Sequence, residues 1–252
     1  MNRPQRFLRA SLPLAGVILF LFAWQVAAAL ADAPSVFPGP VPTMRAAGDL
    51  LSAGYSRDLA ATALRAIASW VLALLIGVPL GLMLGLSRWA HDLSHGVVAF
   101  LRSLPAFMLI TIPVVIGLGG ETSRIATVTS ASLLIIIDEC AESLVTLPQD
   151  RVELIHAYHG GFWFILTRVL IFEALGRAVV PVARTTIGIS FIVAIVCESL
   201  LIPASGVGAR LLTSLTALEM ASVYAFLLLT GTAGLILNSG VHYLARRIIF
   251  WT

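Results

Sequence analysis

Thr62-Ala-Leu-Arg-Ala-Ile-Ala-Ser-Trp-Val-Leu-Ala-Leu-Leu-Ile-Gly-Val-Pro-Leu-Gly-Leu-Met-Leu-Gly-Leu86 is the stretch that decides the fold. A helix needs about 20 apolar residues to cross a bilayer, and this run supplies them with a single charge, Arg65, near its start. Gly77, Gly81 and Gly85 recur every fourth residue and share one face of the helix. Such a stripe lets a second backbone approach closely, as packing inside a membrane requires. Pro79 removes one backbone donor and is expected to bend the helix. These four residues are packing residues and imply no chemistry.

Five more runs of this kind flank it. The candidate spans lie near 12–31, 62–86, 98–118, 124–145, 178–202 and 220–245. Only helices or closed barrels satisfy the backbone in lipid, and each run is helical by length. The expectation is an all-α, polytopic membrane protein of about six transmembrane helices, with residues 1–252 as one transmembrane domain. Composition agrees: 59% of the 252 residues are hydrophobic and 12% charged, where soluble domains carry about 25% charged residues. The start of the chain, with Arg3, Arg6, Arg9 and a later Ala29-Leu-Ala31, also resembles a signal peptide. Its apolar run is longer than an ordinary signal core of 7–15 residues, so it is read as the first span.

All 16 basic residues are arginine. They are scattered, with no basic stripe and interleaved aromatics, so a nucleic-acid partner is not expected. Arg3, Arg6, Arg9, Arg88, Arg151, Arg168, Arg177, Arg246 and Arg247 all fall on one side of a six-span chain. By the positive-inside rule that side is the cytoplasm, with both termini there.

Several polar groups sit where lipid makes them expensive. Asp138, Glu139 and Glu142 lie in the fourth candidate span; Asp138 and Glu142 share a face and Glu139 points elsewhere. A polar lining, a salt bridge to an arginine of the following segment, and a proton or cation site are all open. In the fifth span Thr186 and Ser190 form one polar stripe, and Glu198 lies about 21 Å along the helix from Arg184, too far for the two to pair. With Asp138, Glu139, Ser190 and Glu198 as its candidate residues, a pathway or gate is the functional reading. No phosphate loop, nucleophile elbow or zinc-binding His-Glu-Xaa-Xaa-His occurs, and no metal-ligand set is visible. Cys140 and Cys197 both lie in apolar runs and are read as buried thiols.

External residues 32–61 open with the rigid Phe37-Pro-Gly-Pro-Val-Pro42. Thr43 is expected to cap a short amphipathic helix carrying Met44, Ala47, Leu50 and Leu51. Between the fourth and fifth spans lies Glu153-Leu-Ile-His-Ala-Tyr-His-Gly-Gly-Phe-Trp-Phe-Ile-Leu-Thr-Arg168, a moderately polar segment placed to touch a partner in the cytoplasm.

These segments together resemble the membrane-spanning permease of bacterial ABC importers, in the nitrate/taurine/sulfonate branch. The resemblance is carried by Phe37-Pro-Gly-Pro-Val, by Arg65 followed by Gly77 to Ser87, and by Arg102-Ser-Leu-Pro105 with Pro113. Gly117-Leu-Gly-Gly-Glu-Thr-Ser-Arg-Ile125, Glu198 with Ser205-Gly-Val-Gly208, and Arg246-Arg247 complete it. It implies a type I importer permease fold, and a chain that is not itself an enzyme. Implied partners are two copies of a cytoplasmic ATPase, which bind ATP and Mg, a second permease (copy or paralogue), a periplasmic binding protein and the lipid bilayer. The implied location is the bacterial inner membrane, and the substrate a small solute such as an anion or sulfonate. Residues about 146–177 occupy the place of the family's ATPase-coupling loop. Its signature at 153–172 is degenerate: Glu153 matches, Leu154 and Ile155 replace two alanines, and His159 stands where glycine is expected. Gly160 and Gly161 follow; Trp163 and Arg168 match; Phe172 replaces a proline. The coupling residues so implied are Glu153, His156, His159, Gly160, Gly161, Trp163 and Arg168. Normal coupling with altered contacts, a heterodimer with a full-signature partner, and uncoupling from ATP are all open. The rival reading is an ATP-independent carrier or channel built on Asp138, Glu139 and Glu142.

Overall fold

The computed structural model describes residues 3–146, 175–201 and 205–248. The described elements are helices α1 (Arg3–Ala31), α2 (Pro40–Ser52), α3 (Tyr55–Gly85), α4 (Arg88–Ser103), a 3-10 turn (Ala106–Ile110), α5 (Thr111–Val115), α6 (Gly120–Val145), a π-helical turn (Leu175–Val179), α7 (Val180–Leu200), α8 (Val207–Thr216) and α9 (Met220–Ile248). No strand occurs among the described residues.

Among those residues, α1, α3, α7 and α9 are long and apolar enough to cross a membrane. The expected third span, 98–118, is not one helix. It is α4 followed by the 3-10 turn and α5, bent by 99° at the break, so the pair can serve as a fifth span. Pro105 explains the break. The residue before a proline is driven out of the helical region, and Leu104 is extended, with ψ 139°. The expected fourth span does form a long helix, α6, but Glu121, Arg124, Asp138, Glu139 and Glu142 make it too polar to count by composition. It is instead heavily packed, with ten buried residues from Ser123 to Leu144. Helix α3 runs on through Pro79 to Gly85.

The chain divides into two compact units. The first comprises Met1–Arg57 with Arg210–Gly231. Here the Trp24 indole N–H donates to the Pro38 carbonyl at 3.1 Å, Trp24 stacks on Tyr224, and Phe37 meets Tyr224 edge-on. Helix α2 starts at Pro40 with Gly39 as its cap residue. Thr43 is therefore inside the helix rather than its cap, because proline is well suited to the first helical position. Its hydroxyl donates back to the Gly39 carbonyl.

The second unit comprises Asp58–Ala209 with Thr232–Thr252. Its core is built from α3, α6 and α7, through Ala66, Ala73, Val128, Ala131, Ile136, Val182, Phe191, Val193 and Ala194. Cys140 and Cys197 are buried and free. The glycine stripe of α3 lies against α6: a Cβ on Gly81 would stand 2.6 Å from the Ile137 carbonyl oxygen, and one on Gly85 2.6 Å from that of Ala141. Lipid gives helices no hydrophobic reason to associate, so close backbone approach and interhelical hydrogen bonds must do it. The bonds are present. Ser132 and Ser190 share one at 2.7 Å, and the Trp70 indole N–H donates to the Ala183 carbonyl and the Thr186 hydroxyl. Gly81→Ala is therefore expected to cost about 2 kcal/mol by overpacking. Gly16→Ala, where a Cβ meets nothing, is expected to be near neutral; unfolding midpoints of the two variants check the contrast.

Candidate functional site

The second unit holds two ionic clusters. The first gathers the early turns of α3, the first turn of α6, the last turn of α7 and the segment 205–208. Thr62 and Arg65, three apart, share a face of α3; Glu121 and Arg124 do the same on α6. At the centre is Glu198, with no solvent exposure. Its carboxylate accepts from the Thr62 hydroxyl at 2.9 Å, from Arg65 at 2.6 Å and from the Gly208 N–H at 3.0 Å. The Val207 N–H donates to the Thr62 oxygen at 3.1 Å. The opening N–H groups of a helix have no partner within it and carry partial positive charge. Here α8 has two of them met by a hydroxyl and a carboxylate from distant helices.

Arg65 is shared. Its Nε and one terminal nitrogen grip both oxygens of Glu121 at 2.6 Å, a bidentate pair, while the other terminal nitrogen holds Glu198. It also donates to the Ser205 hydroxyl and carbonyl. Arg124, almost fully buried, donates to Glu121, to the Ser205 hydroxyl and to the Leu201 carbonyl. Two glycines make the geometry possible. Gly206 has φ +107°, and a Cβ there would overlap the Glu198 carboxylate at 2.5 Å; a Cβ on Gly208 would lie 1.9 Å from the Ile195 carbonyl oxygen. The arrangement is an electrostatic clamp joining three helices and the start of a fourth. Glu198, one of the residues expected to line or gate a pathway, is thus buried, with Thr62, Arg65 and Gly208 as its donors.

The second cluster is the seam between α4 and α6. His91 and His95 are one turn apart on α4 and stack at 5.2 Å. They face Glu142 and Asp138, one turn apart on α6. His91 Nε2 stands 3.2 Å from a Glu142 oxygen, and His95 Nδ1 3.4 Å from an Asp138 oxygen. Arg102 also donates to Asp138. The expected salt bridge of Asp138 thus exists, but its arginine comes from the preceding helix, across the break that turns α4 back along α6. Glu139 points away and is exposed, as its spacing required. Ser190 is buried against Ser132. Among the described residues no group of three or more His, Cys, Asp or Glu is placed to hold a metal ion. The coupling residues Glu153, His156, His159, Gly160, Gly161, Trp163 and Arg168 lie outside the described residues, as does all of 147–174.

Sequence reasoning missed the clamp as a unit, and with it Thr62, Glu121 and Arg124. The signal available was the coincidence that Arg65, Gly117 to Ile125, Glu198 and Ser205 to Gly208 carry the family resemblance. Those separated segments are the ones that meet here.

No family model matches the chain. Curated relatives do. A probable ABC transporter permease protein of Brucella melitensis biotype 1 is 24% identical over 217 residues, 86% of this chain and 87% of the relative. A putative ABC transporter permease protein of Methanocaldococcus jannaschii is 22% identical over 257 residues, covering 100% of this chain and 94% of the relative. The bicarbonate transport system permease protein CmpB of Synechococcus elongatus is 23% identical over 252 residues, 94% of this chain and 89% of that one.

The chain's homologues are ABC transporter permeases.

The solved structures agree on the permease fold. A chain of the MetNI methionine ABC transporter, in an inward-facing conformation, superposes with TM-score 0.64 at 19% identity, over 75% of this chain and 93% of that one. The protein is accordingly a multi-pass helical membrane protein with an ABC permease fold.

Proposed function

We propose that the chain is the membrane-spanning subunit of an ATP-driven importer. With a second permease, copy or paralogue, it forms the pathway for a small solute delivered by a periplasmic binding protein. The observation that carries this reading is the near full-length match to ABC transporter permeases, joined to a fold of the same kind. Residues 1–252 act as one permease domain in the bacterial inner membrane, with both termini cytoplasmic, as the arginine distribution supports. The chain itself catalyses nothing; ATP and Mg are bound by two ATPase subunits. Residues 146–177 dock on them, with Trp163 as an apolar anchor. Transport is then a two-state switch that ATP and the loaded binding protein each bias by binding one state better. The carrier reading is the weaker one, because Asp138, the most enclosed of its three acids, is already held by Arg102.

The test is isolation of the tagged chain from its host membranes in mild detergent, with mass spectrometry of what accompanies it. An ATPase subunit is expected; recovery of the chain alone, under conditions that keep known transporter complexes intact, would sink the proposal. Recovery of a second, different permease would account for the degenerate coupling signature. Trp163→Asp is expected to abolish ATP-driven uptake by the cells, and wild-type uptake would remove the docking role from this segment.

A further inference from the structure

Helix α7 is the most enclosed of the four apolar spans, with half of its apolar window buried. Val182, Thr186, Ile187, Ser190, Phe191, Val193, Ala194, Cys197 and Glu198 all face inward. Its remaining face stays open. Pro181, Thr185 and Ile192 are exposed, and a Cβ on Gly188 would meet nothing within 4 Å. Arg184 shares that face, one turn before Gly188. The Arg184 Nε is buried without a hydrogen-bond partner among the described residues. A guanidinium offers five donors and stays charged; the Arg184 side chain is half-buried, and its Nε is the donor shut off from water without a partner.

The acids of the two ionic clusters have partners of their own. Glu121 and Glu198 belong to Arg65, with Arg124 also on Glu121. Asp138 belongs to Arg102, and Glu142 faces His91. Glu121, Asp138 and Glu198 therefore each have an arginine partner, whereas Arg184 has no ion pair among the described residues and lies on the open face of α7.

We propose that Arg184 is the specificity-determining residue that receives the negative group of a small oxyanion solute. The proposal rests on the permease reading above and gives that pathway its charge preference. A planar, forked guanidinium suits a carboxylate-like, nitrate-like or sulfonate oxyanion, because it binds two oxygens at once.

The test uses the complex isolated from host membranes, placed in nanodiscs of zwitterionic phosphatidylcholine and, in parallel, of phosphatidylglycerol. Phenylglyoxal modification of Arg184 is followed by mass spectrometry, with bicarbonate, nitrate or taurine as the probe. In phosphatidylcholine at least one probe is expected to slow modification of Arg184 about tenfold, an ion pair's worth of binding, and to leave the exposed Arg88 unaffected. Protection by none of the three overturns the proposal. Full protection by phosphatidylglycerol without a probe also overturns it, since the anion is then a lipid headgroup. Gly188→Glu supplies a second reading, because it puts a carboxylate one turn from Arg184 in open space. It is expected to raise the KM for cellular uptake of the protecting probe about tenfold, and an unchanged KM counts against the assignment. Absence of an ATPase from the isolated material would instead undo the permease reading, so the two failures are distinct.

Discussion

Arg65→Ala is expected to lower the unfolding midpoint of the detergent-solubilised chain by roughly 10 °C, the equivalent of about 3–5 kcal/mol in a chain of this size. Glu198 is fully buried, and Arg65 is the cation in its hydrogen-bonding shell. Removing one partner of a buried pair leaves the other charged and uncompensated, which costs far more than the pair contributes. The Thr62 hydroxyl and the Gly208 N–H remain, and two neutral donors do not replace a guanidinium. Glu198→Gln, which removes the charge and keeps the shape, is expected to be the milder change. The double variant Arg65→Met with Glu198→Leu should recover part of the loss, since no buried charge is left unpaired, although the Gly208 N–H loses its acceptor. A single Arg65→Ala variant as stable as the parent would show that the clamp holds nothing.

Gly208→Ala is the second large effect. A Cβ at this position would lie 1.9 Å from the Ile195 carbonyl oxygen and 2.9 Å from the Glu198 Cβ. The first of these is backbone inside α7 and cannot turn aside. The start of α8 must therefore shift, and the shift breaks the Gly208 N–H bond to Glu198. Overpacking and the lost bond together amount to about 3–4 kcal/mol. Because Arg65 and Gly208 both act on one carboxylate, their effects should not add. The double variant Arg65→Ala with Gly208→Ala is expected to be less destabilised than the sum of the singles, and strict additivity would mean that the two residues work independently.

The apolar runs that became α1, α3, α7 and α9 were legible in the sequence because a bilayer imposes length and composition on any helix that crosses it. The glycine stripe of α3 was legible for a similar reason, since small residues at a four-residue spacing have few other uses. Two expectations were altered by local chemistry that the run of apolar residues conceals. Pro105 divides the expected third span, and its effect on Leu104 is a backbone matter that hydropathy does not register. Helix α6 reads as a span by length, yet its acids and Arg124 serve contacts with α3, α4 and segment 205–208. Asp138 and Glu142 were recognised as costly in lipid and placed correctly on one face. Their partners, Arg102, His95 and His91, were not assigned, although the pairs His91/His95 and Asp138/Glu142 have the same one-turn spacing.

The sequence by itself determined that this is a helical membrane protein, which segments are apolar enough to span, and which residues carry the likeness to ABC permeases. Those properties are local, set by composition over about 20 residues and by short motifs. Only the tertiary structure decided that Glu198 is a clamped counter-ion, that Asp138 belongs to Arg102, and that Arg184 keeps an unpaired donor on an open face. Arg65 and Glu198 stand 133 residues apart in the chain yet 2.6 Å apart in space. Pairing at such separation follows from how the helices pack, and packing depends on close approaches, such as those at Gly81 and Gly208, that no local pattern specifies.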